Sequence, residues 1–199
     1  MIYNRVKKTI SDNKAIREAG GYVAIPWDLP RLSTVLPGIQ RAKLIGVTAS
    51  SKVGKSQLTD FLFLHQPYEF YLNNPDSNIK PRIFYFTLEM SQESKIMAVL
   101  SYKLYRDYGV NISPERLLSV FKNDILDDKI LEYINKYEPF FEEFEKRVTF
   151  IDNIRNPTGI YKYMVKYAED NGTWAMKEMD WEEDGKVIKK TVKDYYIPN

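Results

Sequence analysis

The chain has 199 residues, of which 44% are hydrophobic and 28% charged, a composition ordinary for a globular protein and too apolar for a disordered one. It has no cysteine and one histidine, which excludes disulfides, thiolate metal sites, cysteine nucleophiles and clusters of histidine ligands. The 29 basic and 27 acidic residues nearly balance, so bulk charge does not indicate a nucleic-acid partner. No apolar run approaches the ~18 residues of a membrane span and the start lacks a signal peptide's apolar stretch, so we expect a cytoplasmic protein.

The N-terminal segment has the pattern of a basic amphipathic helix. Ile2, Val6, Ile10 and Ile16 recur at roughly helical spacing, and Gly20-Gly21 ends the predicted helix. Residues 4–18 carry five basic and two acidic side chains, a net charge of +3. Two interpretations stay open: a surface helix packed on its own domain, or an arm that packs on a neighbouring subunit.

Three short apolar runs, at residues 44–47, 82–87 and 148–151, predict buried strands. Between the first two, the apolar residues 58–64 predict a helical stretch, and residues 66–81, with three prolines and several asparagines, predict a long surface loop.

Several helix boundaries can be read from capping residues. Ser91 predicts the start of a helix through Tyr108 that Gly109 ends, and Ser113-Pro114 predicts another start. Residues 122–147 predict an amphipathic helix pair broken near Pro139. Asn156-Pro157 predicts the start of a helix that residues 171–172 end.

Residues 174–183 and 186–195 flank Asp184-Gly185, a strong turn signal, and predict a β-hairpin. The order strand, helix, strand, helices, strand, helix predicts an α/β domain with a mainly parallel sheet. The hairpin then follows this domain as an insertion.

The strongest chemical signal is a segment with the spacing of a P-loop, which we call the phosphate loop (residues 49–56). An alanine stands where the first glycine is usual; with the residue that follows, the predicted nucleotide-binding set is Ala49, Ser50, Ser51, Lys52, Val53, Gly54, Lys55, Ser56 and Gln57. Backbone N–H groups of such a loop and the positive end of the next helix cradle a triphosphate. Gly54 allows close approach, Lys55 neutralises the β- and γ-phosphates, and Ser56 ligates Mg²⁺.

A carboxylate follows the second predicted strand. Glu89 stands at the carboxyl end of residues 82–87, where it is placed to orient and polarise an attacking water. The alternative is a glutamate stabilised by the positive end of the next helix. The residues alone leave both open.

The phosphate loop, together with Thr87-Leu88-Glu89-Met90-Ser91, resembles the RecA-type ATPase core of DnaB-like replicative helicases. The resemblance, which covers residues 4–170, implies a RecA-like P-loop fold that uses ATP and Mg²⁺, with Glu89 as catalytic base and Thr87 in place of the family's serine. It also implies a hexameric ring joined through the N-terminal helix, with single-stranded DNA as partner, in a bacterial or phage-infected cell. The implied organisation is a linker helix at residues 1–21, an ATPase core at 22–172 and a hairpin at 173–199.

The chain departs from that family in three elements that we do not recognise: a later apolar strand ending in aspartate, loops that grip single-stranded DNA, and an arginine finger. We therefore expect a core truncated before that strand, of low activity by itself. A second hypothesis is a self-contained phosphotransferase or small NTPase with Asp152 as the metal carboxylate. A third is a nucleotide-binding regulator that occupies the ring of a full helicase.

Other residues give weaker signals. Lys52 contacts phosphate or is a solvated loop lysine, and His65 is expected to be structural at the end of the helix after the phosphate loop. Tyr68, Phe70 and Tyr71 either stack on bases or pack within the predicted loop. The charged hairpin is expected to be a solvated flap, with a role in partner contact left open.

Overall fold

The computed structural model of the chain describes residues 2–122, 125–183 and 186–196. The helices are α1 Ile2–Glu18, α2 Pro30–Ser33, α3 Lys55–Asp60, α4 Gln66–Asn73, α5 Gln92–Tyr108, α6 Pro114–Leu117, α7 Asp128–Asn135, α8 Glu138–Arg147 and α9 Pro157–Asn171, and a π-helical segment, Phe61–His65, joins α3 to α4. The strands are β1 Ile83–Phe86, β2 Val148–Ile151, β3 Thr173–Glu183 and β4 Lys186–Tyr196. The molecule is thus mixed α/β, as the sequence predicts.

The chain divides into two compact units. The first comprises Met1–Ile83 with Glu143–Val148, and the second comprises Phe84–Glu142 with Thr149–Asn199. Within the described residues, no helix combines the length and the apolar character that crossing a membrane requires.

The core of the first unit is built from aromatic and aliphatic side chains of the helices that follow the phosphate loop. Leu64 is fully buried, and the ring of Phe144 meets that of Tyr68 edge to face at 4.8 Å. Trp27 packs edge to face on Phe63 at 5.7 Å. Such pairs combine burial of large apolar area with favourable ring electrostatics.

A short antiparallel bridge closes the loop that contains α2. Ile25 and Ile39 exchange backbone hydrogen bonds of 3.0 and 2.8 Å. Gly38 lies against this bridge with φ +127°, and a Cβ there would stand 2.0 Å from the Ile25 carbonyl oxygen. Only glycine fits this position.

The prediction of a strand at residues 44–47 is wrong. These residues are irregular, with the Leu44 side chain fully exposed and that of Ile45 39% exposed. A strand forms when another strand pairs with its backbone. In the described part of the chain the sheet that contains β1 has β2 as its other strand and extends no further.

The prediction of a loop across residues 66–81 is wrong for its first half, because Gln66–Asn73 is helix α4. Pro67 lacks an N–H and its ring clashes with the carbonyl four residues before, so it normally ends a helix. Here the wider π-helical turn at Phe61–His65 immediately precedes the proline, and we attribute the continuation to it. Burial of Tyr68 and Phe70, 3% and 8% exposed, favours the helix.

The second unit is organised around the ends of two parallel strands. β1 and β2 form a two-stranded parallel sheet, and the N–H of Thr87, just after β1, donates to the Ile151 carbonyl at 2.9 Å. Phe84 packs on the ring of Tyr167 in α9 at 4.5 Å, while Tyr85 contacts Phe150 at 5.5 Å. Successive residues of a strand face opposite sides of the sheet, so Phe84 and Tyr85 have partners on different sides.

The predicted helix boundaries of the second unit are confirmed. Ser91 caps α5 by accepting from the Ser94 N–H, and Gly109 ends that helix with φ +67°. Ser113 caps α6, and the Asn156 side chain caps α9 by accepting from the Gly159 N–H at 2.7 Å. The predicted helix pair appears as α7 and α8, but it begins at Asp128 rather than at residue 122, and Pro139 lies in the first turn of α8 rather than at the break.

The hairpin is also confirmed: β3 and β4 pair antiparallel over their whole length, from Thr173 opposite Tyr196 to Glu183 opposite Lys186. Its predicted turn, Asp184-Gly185, lies outside the described residues.

Helix α1 ends just before Gly20-Gly21, as predicted, and buries none of its residues within the described chain. The side chains of Ile2, Val6 and Ile10 are 71%, 48% and 64% exposed. Its apolar stripe is therefore not covered by the part of the chain that the structure describes.

Candidate functional site

The phosphate loop forms a turn that leads directly into α3. Lys52 has φ +62° and Gly54 has φ +87°, whereas Val53 between them does not have positive φ. Alternation of backbone handedness turns successive N–H groups toward one side, and this is the geometry of an anion-binding nest. At its carboxyl half the loop therefore has the alternation in the sign of φ that such a nest requires.

The helix after the loop begins with open N–H groups. Gly54 occupies the N-cap position, where a residue without a side chain cannot supply a capping oxygen. Its carbonyl accepts from the Leu58 N–H at 2.9 Å, and the helical path continues from Lys55 to Asn73 through the π-helical segment. The first-turn N–H groups and the helix dipole thus favour an external anion.

The side chains of the predicted nucleotide set are accessible. Lys55 and Ser56 lie exposed on the first turn of α3, and Val53 is 63% exposed. Gly54 alone in the set is half-buried; the other exposed members are Ala49, Ser50, Ser51, Lys52 and Gln57. A Cβ on Gly54 would have only the Gln57 Oε1 atom near it, at 3.8 Å, so the glycine is needed for its backbone angle.

The glutamate turn (residues 87–91) connects β1 to α5. Thr87 is 5% exposed; its hydroxyl donates to the Met90 carbonyl at 2.9 Å and accepts from the Met90 N–H at 3.1 Å. Ser91 then caps α5. Glu89 lies exposed in this turn, so its backbone is held by hydrogen bonds while its carboxylate is open to solvent.

Asp152 follows β2 and belongs to the same edge of the sheet. Its two carboxylate oxygens accept from the Gln92 backbone N–H and from the Gln92 side-chain amide, each at 3.0 Å. These bonds, first that of the side-chain amide and then that of the backbone, hold the pKa of Asp152 below its usual range. In this structure Asp152 ties β2 to the start of α5.

Sequence reasoning missed Lys95. Its side chain is 4% exposed, with Nζ donating to the Tyr85 hydroxyl at 2.8 Å and lying 4.6 Å from the centre of the Tyr85 ring. The sequence feature that could have predicted its burial is its position four residues before Val99, which is buried on the inward face of α5.

The structure groups the predicted site residues in two sets. The phosphate-loop set lies within the first unit, and the glutamate turn with Asp152 lies within the second. His65 is the last residue of the π-helical segment and is half-buried, and the helical path continues past it into α4. Tyr68, Phe70 and Tyr71 belong to α4, where Tyr68 and Phe70 pack in the core; burial raises the pKa of Tyr68 to about 12.

The donor chemistry of the phosphate loop fits Mg²⁺ held together with a nucleotide. Among the described residues, no group of three or more histidine, aspartate and glutamate side chains gathers at one point. Mg²⁺ bound with substrate phosphates needs only one or two protein oxygens and keeps several waters. The exposed hydroxyl of Ser56 is one such oxygen.

A cavity of about 550 Å³ lies between the end of α1 and the turn after α4. Its asparagines bond to the chain itself: Asn78 accepts from the Tyr22 N–H and donates to the Tyr22 carbonyl, both at 2.8 Å, and the Tyr22 hydroxyl donates to Asn74. These bonds clamp the chain after α1 to the turn after α4, and none of the phosphate-loop residues lines the cavity.

Comparison of the chain with protein-family models, with curated proteins and with solved structures gave no match.

Proposed function

We propose that this chain is a RecA-like nucleotide-hydrolysing domain that binds ATP with Mg²⁺ through residues 49–57 and uses Glu89 as its general base. In the fuller form of the proposal it is the motor core of a DnaB-like helicase that moves on single-stranded DNA. The single observation that carries the proposal is the phosphate loop: alternating backbone handedness at residues 52–54 followed by an uncapped helix start.

Each predicted residue has a role that its position supports. Lys55, on the exposed first turn of α3, neutralises charge on the β- and γ-phosphates, and Ser56 beside it supplies the metal oxygen. Glu89 accepts a proton from the attacking water, a task that requires an ionised and accessible carboxylate on a fixed backbone. The bonds of Thr87 to Met90 provide that fixed backbone.

The proposed ring uses α1 as an arm on the neighbouring subunit. The exposed stripe of Ile2, Val6 and Ile10 favours this role, because a solvent-exposed row of aliphatic side chains gains by burial against a partner. The basic residues between them add to the attraction of an acidic partner surface.

The second candidate is a self-contained phosphotransferase or small NTPase in which Asp152 holds the metal. The specific observation behind it is that Asp152 follows a strand of the parallel pair, where ligands of α/β proteins bind. Both its oxygens bond to Gln92, and metal binding there has to compete with those bonds.

The test is Mg²⁺-dependent binding of a fluorescent ATP analogue by the whole chain, measured by anisotropy. We expect Lys55→Ala to weaken binding at least tenfold, about 1.4 kcal/mol, because it removes the charge opposite the phosphates. Lys80→Ala is the matched control: it removes an exposed lysine of the same unit outside the loop and leaves affinity unchanged. Equal affinities for wild type and Lys55→Ala contradict the proposal.

A further inference from the structure

The hairpin of β3 and β4 has two long outer edges, and helix α9 contacts part of β4. Each strand has 11 residues, and they form a two-stranded sheet in the described part of the chain. The outer edge of each strand therefore carries a row of backbone N–H and C=O groups that no third described strand pairs. Such edges are templates for another strand, and a two-stranded hairpin is marginally stable in water without one.

The described side chains of the hairpin expose apolar surface. Trp181 and Ile188 stand opposite each other in the register and therefore share a face; they are 50% and 37% exposed. Val187 and Met176 are 70% and 66% exposed. Exposed apolar side chains grouped on one element indicate a contact surface rather than a solvated flap.

The two strands carry opposite charge. The sequence of β3 has one lysine and four acidic residues, a net charge of −3, from Lys177, Glu178, Asp180, Glu182 and Glu183. The sequence of β4 has four lysines and one aspartate, a net charge of +3, from Lys186, Lys189, Lys190, Lys193 and Asp194. By sequence, β3 is thus an acidic strand and β4 a basic one.

We propose that the hairpin is an interface between copies of this chain, in which the basic β4 edge of one copy pairs antiparallel with the acidic β3 edge of the next. Charge selects this arrangement, because pairing β3 with β3 or β4 with β4 sets like charges opposite each other. In the proposed sheet every strand has neighbours of opposite charge, as β3 and β4 already have within one chain, where Lys189 Nζ lies 3.6 Å from Glu178 Oε2.

The contact is head-to-tail, so it generates a ring if the rotation closes and a filament if it does not. Eleven paired residues extend over about 37 Å of strand. The inference is independent of nucleotide binding, and its surface differs from the α1 arm described above.

The first test is sedimentation velocity of the wild-type chain over a concentration series at low and high salt. We expect concentration-dependent self-association whose affinity falls at least about tenfold from 0.1 M to 1 M salt, since the Debye length shortens from about 10 Å to about 3 Å. A chain that stays monomeric at every concentration, or that associates equally at both salt levels, overturns the proposal without any variant.

The second test exchanges the charges of the edges. Lys189→Glu with Lys190→Glu brings β4 to −1, and Glu178→Lys with Asp180→Lys brings β3 to +1. We expect each variant alone to lose self-association, because its two edges then carry the same sign. An equimolar mixture regains association, because the acidic β3 of the first variant meets the basic β4 of the second.

The chains in this test also carry Lys7→Glu with Lys8→Glu, so that the basic α1 arm does not hold copies together. The matched control places the same charge reversal on two exposed lysines outside both surfaces, as Lys43→Glu with Lys80→Glu, and is expected to keep association. Amide hydrogen exchange over residues 173–196 checks that the hairpin persists in each variant. Association that survives both hairpin variants, that is not regained on mixing, or that is lost equally in the control variant overturns the proposal.

Discussion

The phosphate loop and the glutamate turn both lead into a helix, yet they are held by different means. The glutamate turn follows a paired strand and is fixed by side chains, with Thr87 bonded twice to Met90 and Asp152 bonded to the start of α5. The phosphate loop follows an exposed, irregular segment and has its shape from backbone handedness at Lys52 and Gly54.

This difference separates two requirements of the proposed chemistry. A general base acts from a fixed position, and the side-chain bonds around Glu89 supply that position before any ligand arrives. A loop that wraps phosphates can become fully ordered when the anion binds, and the cost of this ordering reduces the net binding free energy. We therefore expect substitutions in the turn to change rate or stability, and substitutions in the loop to change affinity.

The largest expected effect is on hydrolysis at the glutamate turn. Glu89→Gln keeps size and polarity but cannot accept a proton, so we expect ATP turnover to fall about 10²- to 10⁴-fold while affinity for the nucleotide changes little. Steady-state phosphate release and analogue binding measure the two quantities. Glu93→Gln, on the first turn of α5, is the control for loss of a nearby carboxylate.

Asp152→Asn distinguishes the two candidate functions in the same assay. Asparagine keeps an oxygen to accept from Gln92 but lacks the charge that a metal needs. Full turnover in Asp152→Asn with loss in Glu89→Gln agrees with the helicase-type mechanism. The reverse pattern supports the phosphotransferase or small NTPase with Asp152 on the metal.

The next largest effect is on stability, at Thr87. Thr87→Val keeps the shape of the side chain and removes the hydroxyl that bonds both polar groups of Met90, so we expect a loss of about 1–3 kcal/mol in the free energy of unfolding. Thr48→Val, in the exposed segment before the phosphate loop, should change it by less than about 0.5 kcal/mol. Equal urea midpoints for wild type and Thr87→Val contradict the assigned role of the hydroxyl.

A smaller effect is expected at two glycines with matched geometry. Gly54 has φ +87° and Gly109 has φ +67°; a Cβ at Gly109 meets nothing within 4 Å, and one at Gly54 meets only the Gln57 side chain at 3.8 Å. Alanine at either position should therefore cost about 1–2 kcal/mol of stability through backbone strain alone. Only Gly54→Ala should also weaken nucleotide binding; equal loss of affinity in Gly109→Ala contradicts the assignment of the loop.

Local chemistry made much of the second unit predictable from sequence. The start and end of α5 depend on Ser91 and Gly109 themselves, because a cap is made by the residue that occupies it. The same is true of Asn156 at α9. Whether a strand forms cannot be predicted in this local way. Residues 44–47 have strand-like composition, but a strand also needs a partner strand, which a distant part of the chain supplies.

The site was predictable to the extent that its residues are contiguous. Residues 49–57 are adjacent in sequence, so a local motif was sufficient to predict them as one set. The bonds between Asp152 and Gln92 join residues 60 positions apart, and Lys95 is buried by the packing of α5 near Tyr85. Neither arrangement has a local sequence signature, because both depend on how β1, β2 and α5 pack.

The smallest effect is a pH dependence of stability at Asp152, which follows β2 and bonds to the start of α5. Gln92 holds the pKa of Asp152 below its usual range, so this carboxylate contributes stability that is complete above its unfolded-state pKa, about 3.9, and is lost as the pH falls through the lower folded-state value. The difference in melting temperature between wild type and Asp152→Asn should therefore be present at neutral pH and shrink below about pH 4. Glu93→Gln again serves as the control variant. A difference that stays constant across this range means that the uncharged carboxyl bonds Gln92 equally well, and that Asp152 fixes the start of α5 without its charge.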